Sequence, residues 1–182
     1  MIERKWKRME LIRTKRLLLI PLEYSQLKTR LSSPETLEKT LNFKFYDKTI
    51  PPPLEEAYQQ KISMIEKNKK EFLLLTFWQF VIAETGLVIG EAGFKSLPNQ
   101  KGEIEIGYGI TPAFRGKGYA REGVKALAKW ALKKENIQAI LATTDRENFP
   151  SQRVLKGIGW EKTGEDENSF FWRLEKKNLA GL

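Results

Sequence analysis

A chain of 182 residues with 41% hydrophobic and 30% charged side chains has the length and balance of one folded domain, here residues 1–182, with a real core. It contains neither cysteine nor histidine, which excludes disulfides, thiolate nucleophiles, histidine-based triads and the usual zinc ligand sets, so no metal site is expected. The formal charge of +9 is concentrated: residues 1–20 carry seven basic and two acidic side chains, and residues 111–134 seven basic and one acidic. Solubility is the plain reading of that excess; an anionic ligand near at least one segment is the sharper one.

In chain order, residues 11–22 read as a first strand ended by Pro21, and the apolar run 17–20 within it is too short for a signal-peptide core. Helices over 24–31 and 34–41 follow, the second with Ser33 as its cap. Pro51, Pro52 and Pro53 punctuate a helix over 54–69, whose Leu54, Tyr58, Ile62 and Ile65 share one face, with acids early and lysines late. Residues 72–83 and 87–94 are β-type runs around a hairpin signal, Glu84-Thr85-Gly86. The first of them, interrupted by Thr76 and Gln79, falls far short of the ~20 apolar residues that a membrane-spanning helix needs. No membrane association is therefore expected, and the simplest location is cytoplasmic.

Residues 103–110 alternate, with Ile104, Ile106, Tyr108 and Ile110 on one face and Glu103, Glu105, Gly107 and Gly109 on the other. The helix that follows is marked by a stripe of Ala120, Val124, Leu127, Ala128, Ala131 and Leu132. A buried strand over 139–143, a short helix over 151–156 ended by Gly157, and a last strand over 169–174 complete the chain. The order predicts an α+β domain with helices packed on a mixed sheet.

Between strand and helix stands Arg115-Gly116-Lys117-Gly118-Tyr119-Ala120. A Rossmann fingerprint would need Gly or Ala where Arg121 stands and a place in the first βα unit; a Walker loop would need four residues between its glycines and then Lys-Ser/Thr. An RNA-recognition strand matches Lys117-Gly118-Tyr119-Ala120 but then requires an aromatic at Arg121. What remains is either a solvated turn or a turn whose free N–H groups, helix dipole and basic side chains bind a phosphate.

The stretch GYGITPAFRGKGYAREGVKALAKWAL resembles the acetyl-CoA-binding motif of the GNAT acyltransferases, Arg/Gln-x-x-Gly-x-Gly/Ala. ENFPSQRVLKGIGW resembles that family's Asn-x-x-Ser-x-Arg-Val-Leu-x-x-x-Gly-Phe segment. TKRLLLIPLE is similar to the opening of the branch that contains ribosomal-protein N-terminal acetyltransferases. The resemblance covers residues 11–22 and 78–175, with 23–77 weakly matched. It implies a single GNAT-like domain with a largely antiparallel central sheet and helices on both faces, and acetyl-CoA as the acetyl donor without a metal.

The resemblance further implies that strands 103–110 and 139–143 splay, and that main-chain groups of Tyr108, Gly109 and Ile110 bind the pantetheine arm, with an N–H near Ile110 polarising the thioester carbonyl. The amides of Arg115, Gly116, Lys117, Gly118, Tyr119 and Ala120 would take the pyrophosphate. Asn148 has two readings, a cofactor contact or a helix cap. With no histidine, the general base is expected to be a carboxylate: Glu105 first, which also has a plain reading as a solvent-facing strand residue, and Glu91 second. The family's usual acid, a tyrosine, is replaced by Leu155, which leaves Ser151 or a water as proton donor; Trp160 reads as core. The expected acceptor is a protein N-terminal α-amine such as that of a ribosomal protein, because an α-amine near pKa ~7.8 is substantially neutral where a lysine near ~10.4 is not. A small amine is the alternative within the class, and a non-catalytic basic module for nucleic acid or the ribosome the alternative outside it, with nucleic acid disfavoured. The acidic run Glu165-Asp166-Glu167 and the aromatics Phe43, Phe45 and Tyr46 lie on segments that grip the acceptor in the family, and a homodimer is compatible.

Overall fold

A computed structural model of the protein describes residues 10–182; residues 1–9, half of the basic opening segment, lie outside the described residues. In chain order the elements are β1 (Ile12–Arg13), β2 (Leu17–Pro21), α1 (Tyr24–Ser32), α2 (Pro34–Leu41), β3 (Lys44–Phe45), α3 (Pro52–Lys67), α4 (Phe72–Leu75), β4 (Phe77–Ile82), β5 (Leu87–Phe94), β6 (Glu103–Ile110), α5 (Tyr119–Leu132), β7 (Ala139–Asp145), α6 (Phe149–Ile158), β8 (Glu161–Glu165) and β9 (Ser169–Glu175). The strands form one sheet in the order β1-β2-β4-β5-β6-β7-β9-β8, with β3 added alongside β5. Among the described residues, only β3–β5 and β6–β7 are parallel.

Both faces of the sheet are buried, as alternation along β2 shows. Leu17 and Leu19 join a core under α5 with Ile104, Ile106, Val124 and Leu127. Leu18 and Ile20 join a second core under α1–α3 with Leu27, Leu37, Tyr58 and Ile65. The expected α+β class, the largely antiparallel sheet and helices on both faces are thus observed.

Several expected boundaries are corrected. Residues 11–22 form two strands, since the chain turns at residues 14–16 and pairs Ile12 with Leu19. Residues 72–75 are helical: an apolar run does not by itself separate buried helix from strand, and here the Trp78 indole N–H holds the Leu73 carbonyl at 3.0 Å while the Thr76 hydroxyl holds the Leu22 carbonyl at 2.5 Å. The last helix runs over Phe149–Ile158 and ends at Gly159, whose φ of +104° suits glycine, and not at Gly157. Strands β3 and β8 were not expected; β8, Glu-Lys-Thr-Gly-Glu, is an exposed edge strand with no apolar alternation to announce it.

The register of β6 positions the site. It pairs with β5 along Ile106–Ile110, but with β7 only along Glu103, Glu105 and the residue between them. Beyond that point β7 continues to Asp145 against β9, so β6 and β7 part and a cleft opens between them.

Candidate active site

In an antiparallel ladder the main-chain groups of successive residues point alternately to the two sides of the strand. The Lys95 amide reaches the Glu105 carbonyl at 2.7 Å and the Thr111 amide reaches the Ile89 carbonyl at 2.9 Å, so odd-numbered residues of β6 face β5. Tyr108 and Ile110 therefore direct their N–H groups into the cleft, past the end of the β7 pairing. The Ile110 carbonyl is taken by the Arg115 side chain at 3.0 Å, which fixes the start of the basic turn beside it.

That turn delivers the chain into α5 with Gly116 at φ +73° and Gly118 at φ +81°, the left-handed region that glycine enters without a Cβ penalty. Gly118 is the N-cap, and no side chain caps the helix. Among the described residues, the amides of Gly116, Lys117 and Gly118 make no hydrogen bond. Free N–H groups at a helix start, beside Arg115 and Lys117, form a site suited to a phosphate.

A lock that sequence reading missed holds this turn in place. Glu122 in the first turn of α5 accepts from the Thr14 hydroxyl, the Arg16 amide and the Arg16 guanidinium, each at 2.7 Å. Burial alone would raise its carboxyl, but these donors outweigh burial and hold it below the usual carboxylate range. Arg16 also donates to the Lys117 carbonyl at 2.9 Å and lies over the Tyr119 ring at 4.3 Å. The hairpin turn between β1 and β2 is thereby bolted to the glycine turn.

On the α3 side of the sheet lies a cavity of about 620 Å³, reaching from Leu54 and Lys61 across the sheet to Tyr108, Ile110 and Arg115. Its floor is cleared by glycines: Gly93 pairs with Gly107 and Glu91 pairs with Gly109, and a Cβ added at Gly107 or Gly109 would meet no atom within 4 Å. On this floor Glu91 Oε2 accepts from the Tyr58 hydroxyl at 2.5 Å and from Gln79 at 2.9 Å. Burial first, then the Glu91 charge, push the Tyr58 phenol well above its ordinary value, so it stays a donor. Glu91 Oε1 takes no hydrogen bond among the described residues.

Glu105 is placed differently. Its Oε1 is engaged by Lys95 at 2.6 Å and by the Thr143 hydroxyl at 3.1 Å, and it does not line the cavity. Glu91 stands directly across from Gly109, whereas Glu105 is four residues away along β6, roughly 13 Å at strand rise. Asn148 is the N-cap of α6, its side-chain oxygen accepting from the Ser151 amide at 3.2 Å. Ser151 also offers its carbonyl to the Tyr108 hydroxyl at 3.3 Å, which ties β6 to α6 across the cleft mouth; burial pushes the Tyr108 phenol up to about 12. Leu155 and Trp160 are core. The acidic run closes on itself in the β8–β9 turn: Glu165 pairs with Lys162 and Arg146, and Asp166 accepts from the Asn168 and Ser169 amides. Of the aromatics, Phe45 lines the cavity.

Sequence reading missed Lys61, Tyr58, Gln79 and Arg30. Tyr58 was legible only as part of an apolar stripe, and Lys61 sits one turn on, between positions of that stripe. Comparison with known proteins agrees with this geometry. The family model described as the acetyltransferase (GNAT) domain matches residues 16–161. The chain is 34% identical over 83 residues to the uncharacterized N-acetyltransferase YjdG of Bacillus subtilis (strain 168), covering 46% of this chain and 49% of that one. It is 33% identical over 87 residues to the uncharacterized N-acetyltransferase p20 of Bacillus licheniformis, covering 48% and 49%. The matched part thus spans about half the length of these curated relatives. Among solved structures, the ribosomal-protein-S5-alanine acetyltransferase from Vibrio fischeri superposes with a TM-score of 0.69 at 16% identity, over 93% of this chain and 98% of that one. A chimera of the spermidine N-acetyltransferase SpeG from Vibrio cholerae and hSSAT does so with a TM-score of 0.65 at 13% identity, over 92% and 100%. At those identities the likeness is one of fold, and two acceptor chemistries share it. The match over residues 16–161 carries the assignment: the chain belongs to the GNAT acetyltransferase-domain family.

Proposed function

We propose that the protein transfers the acetyl group of acetyl-CoA to a primary α-amine, with a protein N-terminus, such as that of a ribosomal protein, as the leading acceptor. The observation that carries this reading is the junction of two spaces. The cleft between β6 and β7, flanked by the uncapped glycine turn, meets the cavity over Gly107 and Gly109, where Glu91 stands in register with Gly109. The residues present fit the donor: amides 116–118 together with Arg115 and Lys117 would hold the pyrophosphate, and the main chain of Tyr108 and Ile110 the pantetheine arm. When bound, acetyl-CoA supplies an activated thioester carbonyl.

The chain's own contributions follow. An N–H at Ile110 directed into the cleft stabilises negative charge on the carbonyl oxygen as the amine attacks. Glu91 Oε1 takes the proton that the amine loses, while Tyr58 and Gln79 hold the other oxygen and keep the carboxylate aimed. Ser151, or a water near it, remains the candidate for returning a proton to the departing thiolate.

Thermal unfolding with and without acetyl-CoA tests the reading first: a ligand at 100 times its Kd adds about 2.7 kcal/mol. Release of free CoA thiol with N-terminal peptides and small amines then tests transfer. Absence of any acetyl-CoA effect on melting would overturn the reading.

A further inference from the structure

The wall of the cavity opposite its glycine floor holds two buried cations that the reaction above does not use. Lys61 on α3 is 4% exposed and Arg30 on α1 is 5% exposed, and both line the cavity. Among the described residues neither has a carboxylate within ion-pair distance. The Lys61 ammonium donates to the carbonyls of Leu75 at 3.1 Å and Phe94 at 2.8 Å, which uses two of its three donors. Arg30 donates to the carbonyls of Lys48 at 2.9 Å and Asp47 at 3.4 Å, lies over the Phe45 ring, and leaves its buried Nε without a partner. Two carboxylates line the same cavity: the exposed Asp47, which faces the Arg30 end, and the half-buried Glu91, already shared by Tyr58 and Gln79, so Lys61 is the buried cation that still lacks an ion-pair partner.

A buried charge without a counter-ion is costly, and its usual remedies are neutralisation or a partner. Lys61 shows the first: burial lowers its ammonium to about 7, with the Glu91 charge opposing the fall. An anion arriving from the cavity would supply the second. Its place is set by the floor. Lys61 Nζ lies 3.0 Å from where a Cβ on Gly93 would stand, and Gly93 and Glu91 are two residues apart on one face of β5. The strand positions beside which the two groups stand are therefore roughly 7 Å apart, a spacing on the scale of an amine and a nearby carboxylate that each make a hydrogen bond.

Resting on the acetyl-transfer reading, we propose that the preferred acceptor carries a carboxylate close to its amine, and that Lys61 binds this carboxylate while Glu91 receives the amine. Two sources offer that chemistry: a free α-amino acid, or a peptide whose first residue is Asp or Glu. A long polycation offers none of it.

The test measures CoA release by the full-length protein with matched acceptors: free amino acids against their α-amides, peptides beginning with Asp against the same peptides beginning with Asn, and spermidine. The expected result is a kcat/KM at least tenfold higher for one carboxylate-bearing series than for its neutral partners, expressed mainly in KM. Whichever series shows it identifies the source. Lys61→Met should then collapse that acid-over-neutral ratio by about 10–100-fold, the worth of a hydrogen bond to a charged group. If this variant does not fold, the acid-against-amide comparison on the parent protein decides alone. A protein that is stabilised by acetyl-CoA yet shows equal rates for acid and amide, prefers spermidine, or turns over no carboxylate-bearing amine overturns this proposal and leaves the acetyl-transfer reading standing. A protein that acetyl-CoA does not stabilise fails at the earlier step, and both readings fall.

Discussion

Replacing Glu91 by glutamine tests its proposed role in accepting the proton. Glutamine keeps the length and shape of the side chain, and its carbonyl oxygen can stay where Oε2 accepts from Tyr58 and Gln79. The other position, now an amide NH2, no longer takes up a proton. The structural cost is the difference between hydrogen bonds to a charged and to a neutral acceptor, about 1–2 kcal/mol over the two contacts, so the variant should fold with a modestly lower Tm. Acetyl-CoA should still protect it, because the glycine turn and the cleft-facing amides are untouched. Turnover should fall by about 10²–10⁴-fold, the usual contribution of general-base catalysis. The loss should narrow at higher pH, where solvent holds more of the α-amine neutral. Glu105→Gln serves as the control: one oxygen of its carboxylate is engaged by Lys95 and Thr143 and the residue stands outside the cavity, so the change should cost no more than a few-fold. CoA-thiol release at pH 7 reads both variants. A Glu91→Gln enzyme with near-parental turnover, beside a Glu105→Gln enzyme reduced a hundredfold, would refute the assignment and return the base to β6.

Gly118→Asp puts a side chain and a negative charge at a φ of +81°, in the turn proposed to hold the pyrophosphate, and should abolish thermal protection by acetyl-CoA; unchanged protection would remove the turn from the donor site. Glu122→Gln should destabilise the protein by about 1–2 kcal/mol at pH 7 through weakened bonds to Thr14 and Arg16. Because the folded carboxyl lies below its ordinary value, its stabilisation is complete above the unfolded pKa of ~4.3 and fades as pH falls through the folded one. Denaturant melts of parent and variant should therefore converge in acid, and a gap that widens there would contradict the lock. Gly123→Ala sets a Cβ 2.6–2.9 Å from the Phe80 ring and should cost about 1–3 kcal/mol from overpacking, read as a lower Tm with acetyl-CoA binding retained once folded.

How much of this was legible in the sequence depends on whether the signal was local. The glycine turn could be read because its parts are contiguous: a strand end, two glycines, basic residues and an amphipathic helix follow one another within residues 103–132. Helix α4 could not be separated from a strand, because Phe-Leu-Leu-Leu is equally apolar either way and only tertiary bonds at Thr76 and Trp78 decide. Strand β8 has no apolar face to show, since it is an exposed edge.

The proposed acceptor side was hidden for a different physical reason. Glu105 and Glu91 look alike in sequence, each an acid in a strand beside small residues, and both project to the same face. What separates them is which neighbours arrive from elsewhere. Lys95 and Thr143 come to Glu105 from β5's extension and from β7, while Tyr58 and Gln79 come to Glu91 from α3 and β4. The same holds for Lys61, which reads as one more lysine on a helix rich in charge. It becomes a candidate anion anchor only because Gly93 lacks a side chain that would have stood in its place. The surroundings of Glu91 and Lys61 are thus written in pairs of residues 12 to 33 positions apart, a scale on which one sequence, read without its fold, carries no periodicity to find.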